Sequence, residues 1–340
     1  WLADYMMWQV EDWFKEIPTD ERIVYEPACG HGAFLVAALR MLQQFAFEEK
    51  LPYDKTAAYL RRMLHGADID TFSLEIARLS LSLTDIPNAN GWNLLPMNLF
   101  AEDPFVKRVQ SPALVLTNPP YEAFKEQERL GWKCTQYTKY AEIIARTLPH
   151  IRENGIICFI APRSFLTRKS EADIRKTLAT EFEIREIDQF PDKIFQYASS
   201  QPCVVIARRK GPKPIAKVRC GYVSECGVDA FRERYCFESV QELNVSDIVS
   251  EPDFKLCVPL LFTLWRSLSY NPILKDIADV GRGLDLRSDC SAKGCRSTRE
   301  ILWSLDSKVL YHKEPQPRDV AFEDSDVLFW RSGASIGTPQ

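Results

Sequence analysis

Segments with the pattern of β-strands alternate with segments with the pattern of helices along the first 210 residues. Short apolar runs occur at RIVYEP (22–27), ALVLTN (113–118) and GIICFIAP (155–162), and the stretches between them have the apolar spacing of helices. Such alternation is typical of parallel strands joined by helices that cover both faces of a sheet. The sequence therefore predicts an α/β fold with a Rossmann-like, doubly wound sheet.

The length of the chain allows more than one domain. It has 340 residues, 46% hydrophobic and 26% charged, an ordinary globular composition that suits one large or two medium domains. The pattern changes after Pro212, and short strands and turns are predicted from about residue 271. We expect an α/β domain over 1–212, a connecting segment over 213–270 and a smaller, partly β domain over 271–340. The start without methionine and the loop-like end GASIGTPQ are typical of a fragment.

Charge and cysteine content narrow the class of protein. The net charge is −4, which gives no overall sign of nucleic-acid binding, although RRKGPKPIAKVR (208–219) is locally basic. The ten cysteines are scattered without a C-x-x-C pair, so we expect free thiols in a reducing cytosol and no metal site. The N-terminal WLADYMMWQVEDWF contains three acids and has the pattern of an amphipathic helix. We therefore expect neither a signal peptide nor a membrane span, and a cytoplasmic protein.

The stretch YEPACGHGAF leads from a predicted strand into a predicted helix. Gly30 and Gly32 allow a tight turn and a close approach of the backbone to a ligand, and the helix N-terminus offers free N–H groups. The third glycine of the dinucleotide fingerprint is absent, since Phe34 occupies that region. Glu26 would repel phosphates but suits a cationic ligand, such as the amino-acid end of S-adenosylmethionine. The alternative is a plain strand-to-helix turn.

Two acids end the second predicted strand, in GADID. In doubly wound nucleotide-binding folds an acid at this place accepts hydrogen bonds from ribose hydroxyls. We assign this role to Asp68 and place Ile69 against the adenine face. The alternative is that one acid only caps the helix that follows, which is the expectation for Asp70.

The strand ALVLTN is followed by two prolines and a tyrosine, so that it stops abruptly in NPPY. The Asn118 amide oxygen and the Pro119 carbonyl are two acceptors that could bind both hydrogens of one amino group. Pro120 stiffens the turn, and Tyr121 offers a flat face to a planar substrate. The alternative is an Asn-Pro turn with a packed tyrosine.

These motifs, in this order, resemble the N6-adenine-specific DNA methyltransferases. EPACGHGAF is similar to their first cofactor motif, GADIDTFSLEIARLSLSL to their second, and NPPY is their catalytic motif, in the gamma arrangement. The resemblance implies a class I S-adenosylmethionine-dependent fold and cofactor contacts from the whole first motif. It adds the positions Pro27, Ala28 and Cys29. IDQFPDKIFQYASSQPCVVIARR resembles the block that places an aromatic against the flipped base, where Phe195 is the first match and Tyr197 the second.

The resemblance also implies methyl transfer to an adenine of double-stranded DNA, in restriction–modification or phage defence, with possible restriction or other defence subunits as partners. NPILKDIADVGRGLD resembles the start of a target recognition domain, which would be short here. Where the family usually has an acid that contacts the cofactor adenine, this chain has Asn98, whose amide oxygen is still an acceptor. Basic residues of the last domain are candidates for DNA contacts: Arg282, Arg287, Lys293, Arg296 and Arg299.

Two other readings stay open at the level of sequence. The NPPY pocket also serves methyltransferases that modify the glutamine amide of release factors, and some that modify RNA guanine. A catalytically silent DNA-binding subunit of a defence complex is the second alternative.

Overall fold

The computed structural model describes residues 1–87, 90–102, 111–195, 201–210 and 217–258, five positions between 260 and 270, and two short strands further on. Backbone packing divides the chain into Trp1–Phe262 and Thr263–Gln340. The DNA-contact candidates from Arg282 to Arg299 and the alternative aromatic Tyr197 lie outside the described residues.

The first unit contains nine described α-helices and eleven strands. The helices are α1 (Leu2–Lys15), α2 (Ala33–Glu48), α3 (Tyr53–Met63), α4 (Thr71–Thr84), α5 (Glu126–Gly131), α6 (Lys139–Thr147), α7 (Ala172–Glu181), α8 (Val228–Arg234) and α9 (Val245–Ile248). The strands are β1 (Val24–Pro27), β2 (Leu64–Asp68), β3 (Asn93–Pro96), β4 (Leu114–Thr117), β5 (Ile156–Pro162), β6 (Phe182–Gln189), β7 (Pro202–Arg209), β8 (Lys217–Tyr222), β9 (Ser239–Asn244), β10 (Val249–Ser250) and β11 (Lys255–Leu256). None of the described helices combines the length and the apolar character needed to cross a membrane.

Nine strands form one sheet in the order β3-β2-β1-β4-β5-β7-β6-β8-β9. The pairs from β3 to β5 are parallel, whereas β7 runs antiparallel to both of its neighbours. The strand order reverses at β1, which has β2 on one side and β4 on the other. In doubly wound sheets ligands bind at the carboxyl ends of the strands at such a switch point. The predicted Rossmann-like α/β fold is confirmed.

Helices cover both faces of this sheet, and the strand side chains alternate between two apolar cores. On β5, Ile156, Cys158 and Ile160 belong to the core that includes side chains of α1, α2 and α4. Ile157 and Phe159 belong to the opposite core, beneath α6 and α7. Burial on both faces explains why the central strands are continuous apolar runs, as parallel sheets require.

Two parts of the sheet differ from the expected organisation. β3 was not predicted, because its four residues, NLLP, lack β-branched side chains and half of them are exposed. β8 and β9 fall within the predicted connecting segment 213–270, yet β8 pairs with β6 and β9 pairs with β8, so both extend the main sheet. The domain boundaries stay a prediction. In the second unit the structure describes one antiparallel pair, β12 (Val309–Leu310) with β13 (Val320–Ala321).

A buried polar network joins α1 to β6 and β8. The Tyr5 hydroxyl lies 2.6 Å from Asp188 Oδ2 and 2.9 Å from Glu186 Oε2. Arg219 Nη1 donates to Glu186 Oε2 at 3.3 Å. Burial, together with the neighbouring Glu186 carboxylate, raises the pKa of Asp188 to about 8. The pair of acids therefore holds a proton at neutral pH.

This network makes stability depend on pH. The pKa of Asp188 is higher in the folded chain than the ordinary value of about 3.9, so the folded state binds more protons and becomes less stable as pH rises between the two values. We expect Asp188→Asn to flatten the fall in the free energy of unfolding between about pH 6 and pH 8.5, measured by urea denaturation. Exposed Asp20→Asn is the control, and parallel curves for all three proteins would contradict the assignment.

Candidate active site

The loop between β1 and α2 reverses direction through three residues with positive φ. The φ angles are 58° at Ala28, 50° at Gly30 and 79° at Gly32. A Cβ at Gly32 would lie only 2.9 Å from the Ala77 Cβ on α4, so this position requires glycine both for its backbone and for its packing. The turn brings the N-terminus of α2, with its free N–H groups, to the switch point.

Glu26 lies at the end of β1 and is almost fully buried. Its Oε2 accepts the Leu35 N–H of α2 at 3.1 Å. Burial raises the pKa of Glu26 well above its usual range, and the Asp68 charge adds to the rise. An ammonium group close by would favour the carboxylate again. The geometry suits the predicted role of Glu26 at the cationic end of the cofactor.

The other residues of the first motif differ in what they can offer a ligand. Cys29 and Phe34 are buried and pack into the core, so a ligand contact there would use their backbone. The Cys29 N–H already donates to the Ala67 carbonyl at 2.9 Å, and the Pro27 carbonyl accepts from Thr117 Oγ1 at 3.0 Å. Their part in cofactor binding stays a prediction.

Asp68 ties the second strand to the glycine loop. Its Oδ2 accepts the Gly30 N–H at 2.8 Å and its Oδ1 accepts the Asp70 N–H at 2.9 Å. Each carboxylate oxygen keeps a second lone pair, so the two ribose hydroxyls of a cofactor could still be bound. Ile69 is 68% exposed beside it, which suits contact with a flat adenine.

Asp70 has a different task. It is the N-cap of α4, and its side chain accepts the Phe72 N–H at 3.0 Å and the Ser73 hydroxyl at 2.7 Å. The expected helix cap is confirmed.

Asn98 lies two residues after the end of β3, whose last residue, Pro96, pairs with Asp68. The Met97 N–H donates to the Asp68 carbonyl at 2.8 Å, which fixes the position of the loop. Asn98 Oδ1 accepts the Phe100 N–H at 3.0 Å. One lone pair of that oxygen remains for an amino group of the cofactor adenine, so the predicted contact remains geometrically available.

The NPPY motif follows β4, directly across the switch point from the glycine loop. The Asn118 side chain is exposed, Pro119 is buried and Pro120 is exposed. The Tyr121 hydroxyl lies 3.5 Å from Asn118 Oδ1, and its ring meets Tyr140 edge-on at 6.0 Å. The motif therefore holds an exposed amide beside a supported aromatic ring, at the same edge of the sheet as Asp68.

Phe195 is partly buried at the end of the segment that follows β6. Its ring stacks on Trp1 with the centroids 6.5 Å apart, and Arg232 Nη2 donates to the neighbouring Ile194 carbonyl at 2.9 Å. This placement fits an aromatic that is supported from behind. Its assignment to the target base stays a prediction.

Two residues next to the site were not predicted, Glu142 and Arg146 on α6. Arg146 donates to the carbonyls of Leu99 and Phe100, in the same loop as Asn98. A glutamate four residues before an arginine is a recognised helical pair, which is the signal that could have identified them.

A known family matches the part of the chain that contains these residues. Residues 11–224 match the model of the N-6 DNA Methylase family. The chain belongs to this family. The predicted resemblance is confirmed, and with it S-adenosylmethionine as the cofactor of this methyltransferase domain.

Individual relatives include restriction–modification proteins. The chain is 26% identical over 186 residues to the type II restriction enzyme and methyltransferase RM.BcgI of Heyndrickxia coagulans. The matched region covers 54% of this chain and 27% of that protein. The chain thus spans about a quarter of this curated relative.

Solved structures that share the fold include two restriction–modification proteins. One is a modification subunit of a putative type I restriction enzyme from Vibrio vulnificus YJ016, with 16% identity, a TM-score of 0.58, and coverage of 79% of this chain and 60% of that chain. The other is the ATP-dependent type ISP restriction–modification enzyme LlaBIII bound to DNA. It has 14% identity, a TM-score of 0.56, and coverage of 75% of this chain and 22% of that chain.

The two acids after β2 give a matched test. We expect Asp68→Ala to raise the dissociation constant for S-adenosylmethionine roughly ten-fold or more, because hydrogen bonds to a charged group are lost and the Gly30 N–H is released. Asp70→Ala should lower the melting temperature, through the lost cap, with a far smaller effect on cofactor affinity. Isothermal titration calorimetry and thermal unfolding separate the two effects. Equal cofactor affinity for Asp68→Ala and the wild type would place the ribose ligand elsewhere.

Proposed function

We propose that this protein transfers a methyl group from S-adenosylmethionine to the N6 amino group of an adenine that has been flipped out of double-stranded DNA, as part of a restriction–modification or phage-defence system. The observation that carries the proposal is the position of Asn118 and Tyr121 across the switch point from the glycine loop. The Thr117 Oγ1 bond to the Pro27 carbonyl ties the two strand ends together at 3.0 Å. The family to which the chain belongs supports the same chemistry.

The chain contributes position and polarisation. The bound cofactor supplies an electrophilic methyl group on a sulfonium centre. Asn118 Oδ1 and the Pro119 carbonyl accept the two hydrogens of the adenine amino group, so that its nitrogen lone pair points away from them and towards the methyl group. No residue has to remove a proton first, because orientation and electrostatic stabilisation lower the barrier. The methylated nitrogen would release its surplus proton to solvent afterwards, and the demethylated cofactor would leave as a neutral thioether.

Aromatic side chains hold the extruded base. Flipping an adenine out of the duplex costs a few kcal/mol, which the pocket must offset. Tyr121 is held edge-on by Tyr140, and Phe195 is backed by Trp1. We assign Tyr121 and Phe195 to the two faces of the base, with Pro120 closing the turn.

DNA and further subunits are the proposed partners. Relatives include one structure described as bound to DNA and one described as a modification subunit. We assign phosphate or base contacts to Arg282, Arg287, Lys293 and Arg296, whose charge suits a DNA backbone. A reducing, cytosolic setting fits the eight described cysteines, all of which are free thiols.

Two competing functions remain distinguishable by substrate. A glutamine amide of a protein or an amino group of RNA guanine presents the same donor geometry to Asn118. A silent DNA-binding role would leave the pocket unused, and Asn98, in place of an acid, is the one departure that favours it.

The decisive experiment offers labelled S-adenosylmethionine with mixed-sequence duplex DNA, RNA and a release factor in parallel, and identifies the product by mass spectrometry. We expect N6-methyladenine in DNA. Asn118→Ala should lower turnover by about 100-fold or more with cofactor affinity retained, because it removes one of the two acceptors. Methylglutamine or methylguanine would overturn the substrate. Cofactor binding without transfer to any of the three would favour the silent role, and normal turnover of Asn118→Ala would remove its catalytic assignment.

Phe195 can be tested through the cost of flipping. We expect Phe195→Ala to weaken binding of the extruded base by about 1–3 kcal/mol, because stacking on an aromatic ring is lost. A target adenine in a mismatch, whose extrusion costs less, should be affected less. The readout is 2-aminopurine fluorescence at the target position. Exposed Phe47→Ala on α2 is the control. An unchanged fluorescence signal for Phe195→Ala would move the role to another aromatic, with Tyr197→Ala as the next variant.

A further inference from the structure

The chain that follows the NPPY motif forms a closed flap, defined here as residues 122–138. Ala123 and Thr138 pair in an antiparallel bridge, and the Phe124 N–H donates to the Tyr137 carbonyl at 3.0 Å. The Lys139 N–H donates to the Glu122 carbonyl at 2.9 Å. The flap therefore leaves and rejoins the domain at one place, next to Tyr121.

The flap rests on the loop that carries Asn98. Trp132 of the flap stacks on Phe100 with the ring centroids 5.6 Å apart and the planes 21° apart. Phe124 meets the same Phe100 ring edge-on at 4.9 Å. Since Phe100 follows Asn98 by two residues, these contacts join the target side of the site to its cofactor side.

Arg146 on α6 fastens the two segments to each other. Its Nη1 donates to the carbonyls of Leu99 and Phe100, both at 2.9 Å, and its Nη2 donates to the Trp132 carbonyl at 3.2 Å. One planar guanidinium thus binds carbonyls of the Asn98 loop and of the flap. A lysine ammonium is a single point charge and cannot span this set.

Glu142 completes the arrangement from the other end of the flap. Its side chain is buried, its Oε1 accepts from Arg146 Nε at 2.6 Å, and its Oε2 accepts the N–H groups of Thr135 and Gln136, each at 2.9 Å. A buried carboxylate needs this degree of pairing. The pair therefore joins three segments: α6, the Asn98 loop and the flap.

We propose that Glu142 and Arg146 are positioning residues which hold the Asn98 loop and the flap in register, so that S-adenosylmethionine and the target adenine bind cooperatively. The proposal rests on the proposed function of the NPPY site. Neither side chain contacts a reacting atom. Cofactor contact would order the Asn98 loop, Arg146 and Trp132 would transmit that order to the flap, and the flap would then meet the DNA beside Tyr121 in a fixed conformation.

The test uses Arg146→Lys and Glu142→Gln, which keep side-chain size close to the original. We expect the dissociation constant for S-adenosylmethionine to rise roughly five-fold or more, and the gain in DNA affinity that the cofactor gives to the wild type to fall by a similar factor. The readouts are calorimetry with the cofactor alone and DNA binding with and without it. The matched control is Arg152→Lys, whose partner Glu21 lies 2.5 Å away in an ion pair that includes no residue of the flap.

Two measures distinguish a loss of positioning from a loss of stability: the temperature of the affinity measurements and a variant of a different kind. All affinities are measured well below the melting temperature of each protein. Trp132→Leu removes the stacking on Phe100 and leaves the ion pair, so it should lower the coupling between cofactor and DNA in the same direction even if Arg146→Lys does not fold. Variants that melt earlier yet bind the cofactor with wild-type affinity would overturn the proposal.

Failure of the proposed function gives a different result. If the wild type methylates no DNA, the cofactor affinities still report on Arg146, because they need neither DNA nor turnover. A weakened cofactor site in Arg146→Lys, with an unchanged Arg152→Lys, would then retain the positioning role and reject only the assigned substrate.

Discussion

The site depends on the pairing of β1 with β4, and the hydrogen bond from Thr117 Oγ1 to the Pro27 carbonyl joins the ends of these two strands. This hydrogen bond is fully buried and lies at the point where the strand order reverses. The chain continues from β1 to β2 on one side and from β4 to β5 on the other. The loops that follow β1 and β4 therefore separate and leave a crevice between them. The glycine loop forms one wall and NPPY the other. Any shift of register between β1 and β4 would separate the proposed methyl donor from the proposed acceptor.

The acids around this crevice are arranged for a cationic ligand. Glu26 is buried and its pKa is raised. The Asp68 carboxylate accepts hydrogen bonds from the Gly30 and Asp70 N–H groups. A pyrophosphate would raise the cost of ionising Glu26 further, whereas a ligand with an ammonium group favours its carboxylate and ribose hydroxyls can donate to Asp68. The missing third glycine agrees with this, since no phosphate has to approach the start of α2.

The sequence allowed the parts of the site that depend on local chemistry to be predicted. The turn at Gly32, the cap at Asp70 and the abrupt end of β4 each follow from a few neighbouring residues. β3 could not be predicted, because an exposed edge strand of four residues has no period to detect. The contacts of Arg146 with Leu99 and Phe100 could not be predicted either, since these acceptors are carbonyls that lie 47 and 46 residues away and have no sequence signature.

The buried acids of β6 connect this local chemistry to the target side of the site. Tyr5 binds Asp188 and Glu186 from α1, and Trp1, one turn earlier on the chain, stacks on Phe195. Phe195 itself follows β6 after a short turn, so the same helix braces both the strand and the aromatic. The ring of Phe195 therefore rests, through Trp1, on the helix that Tyr5 joins to β6.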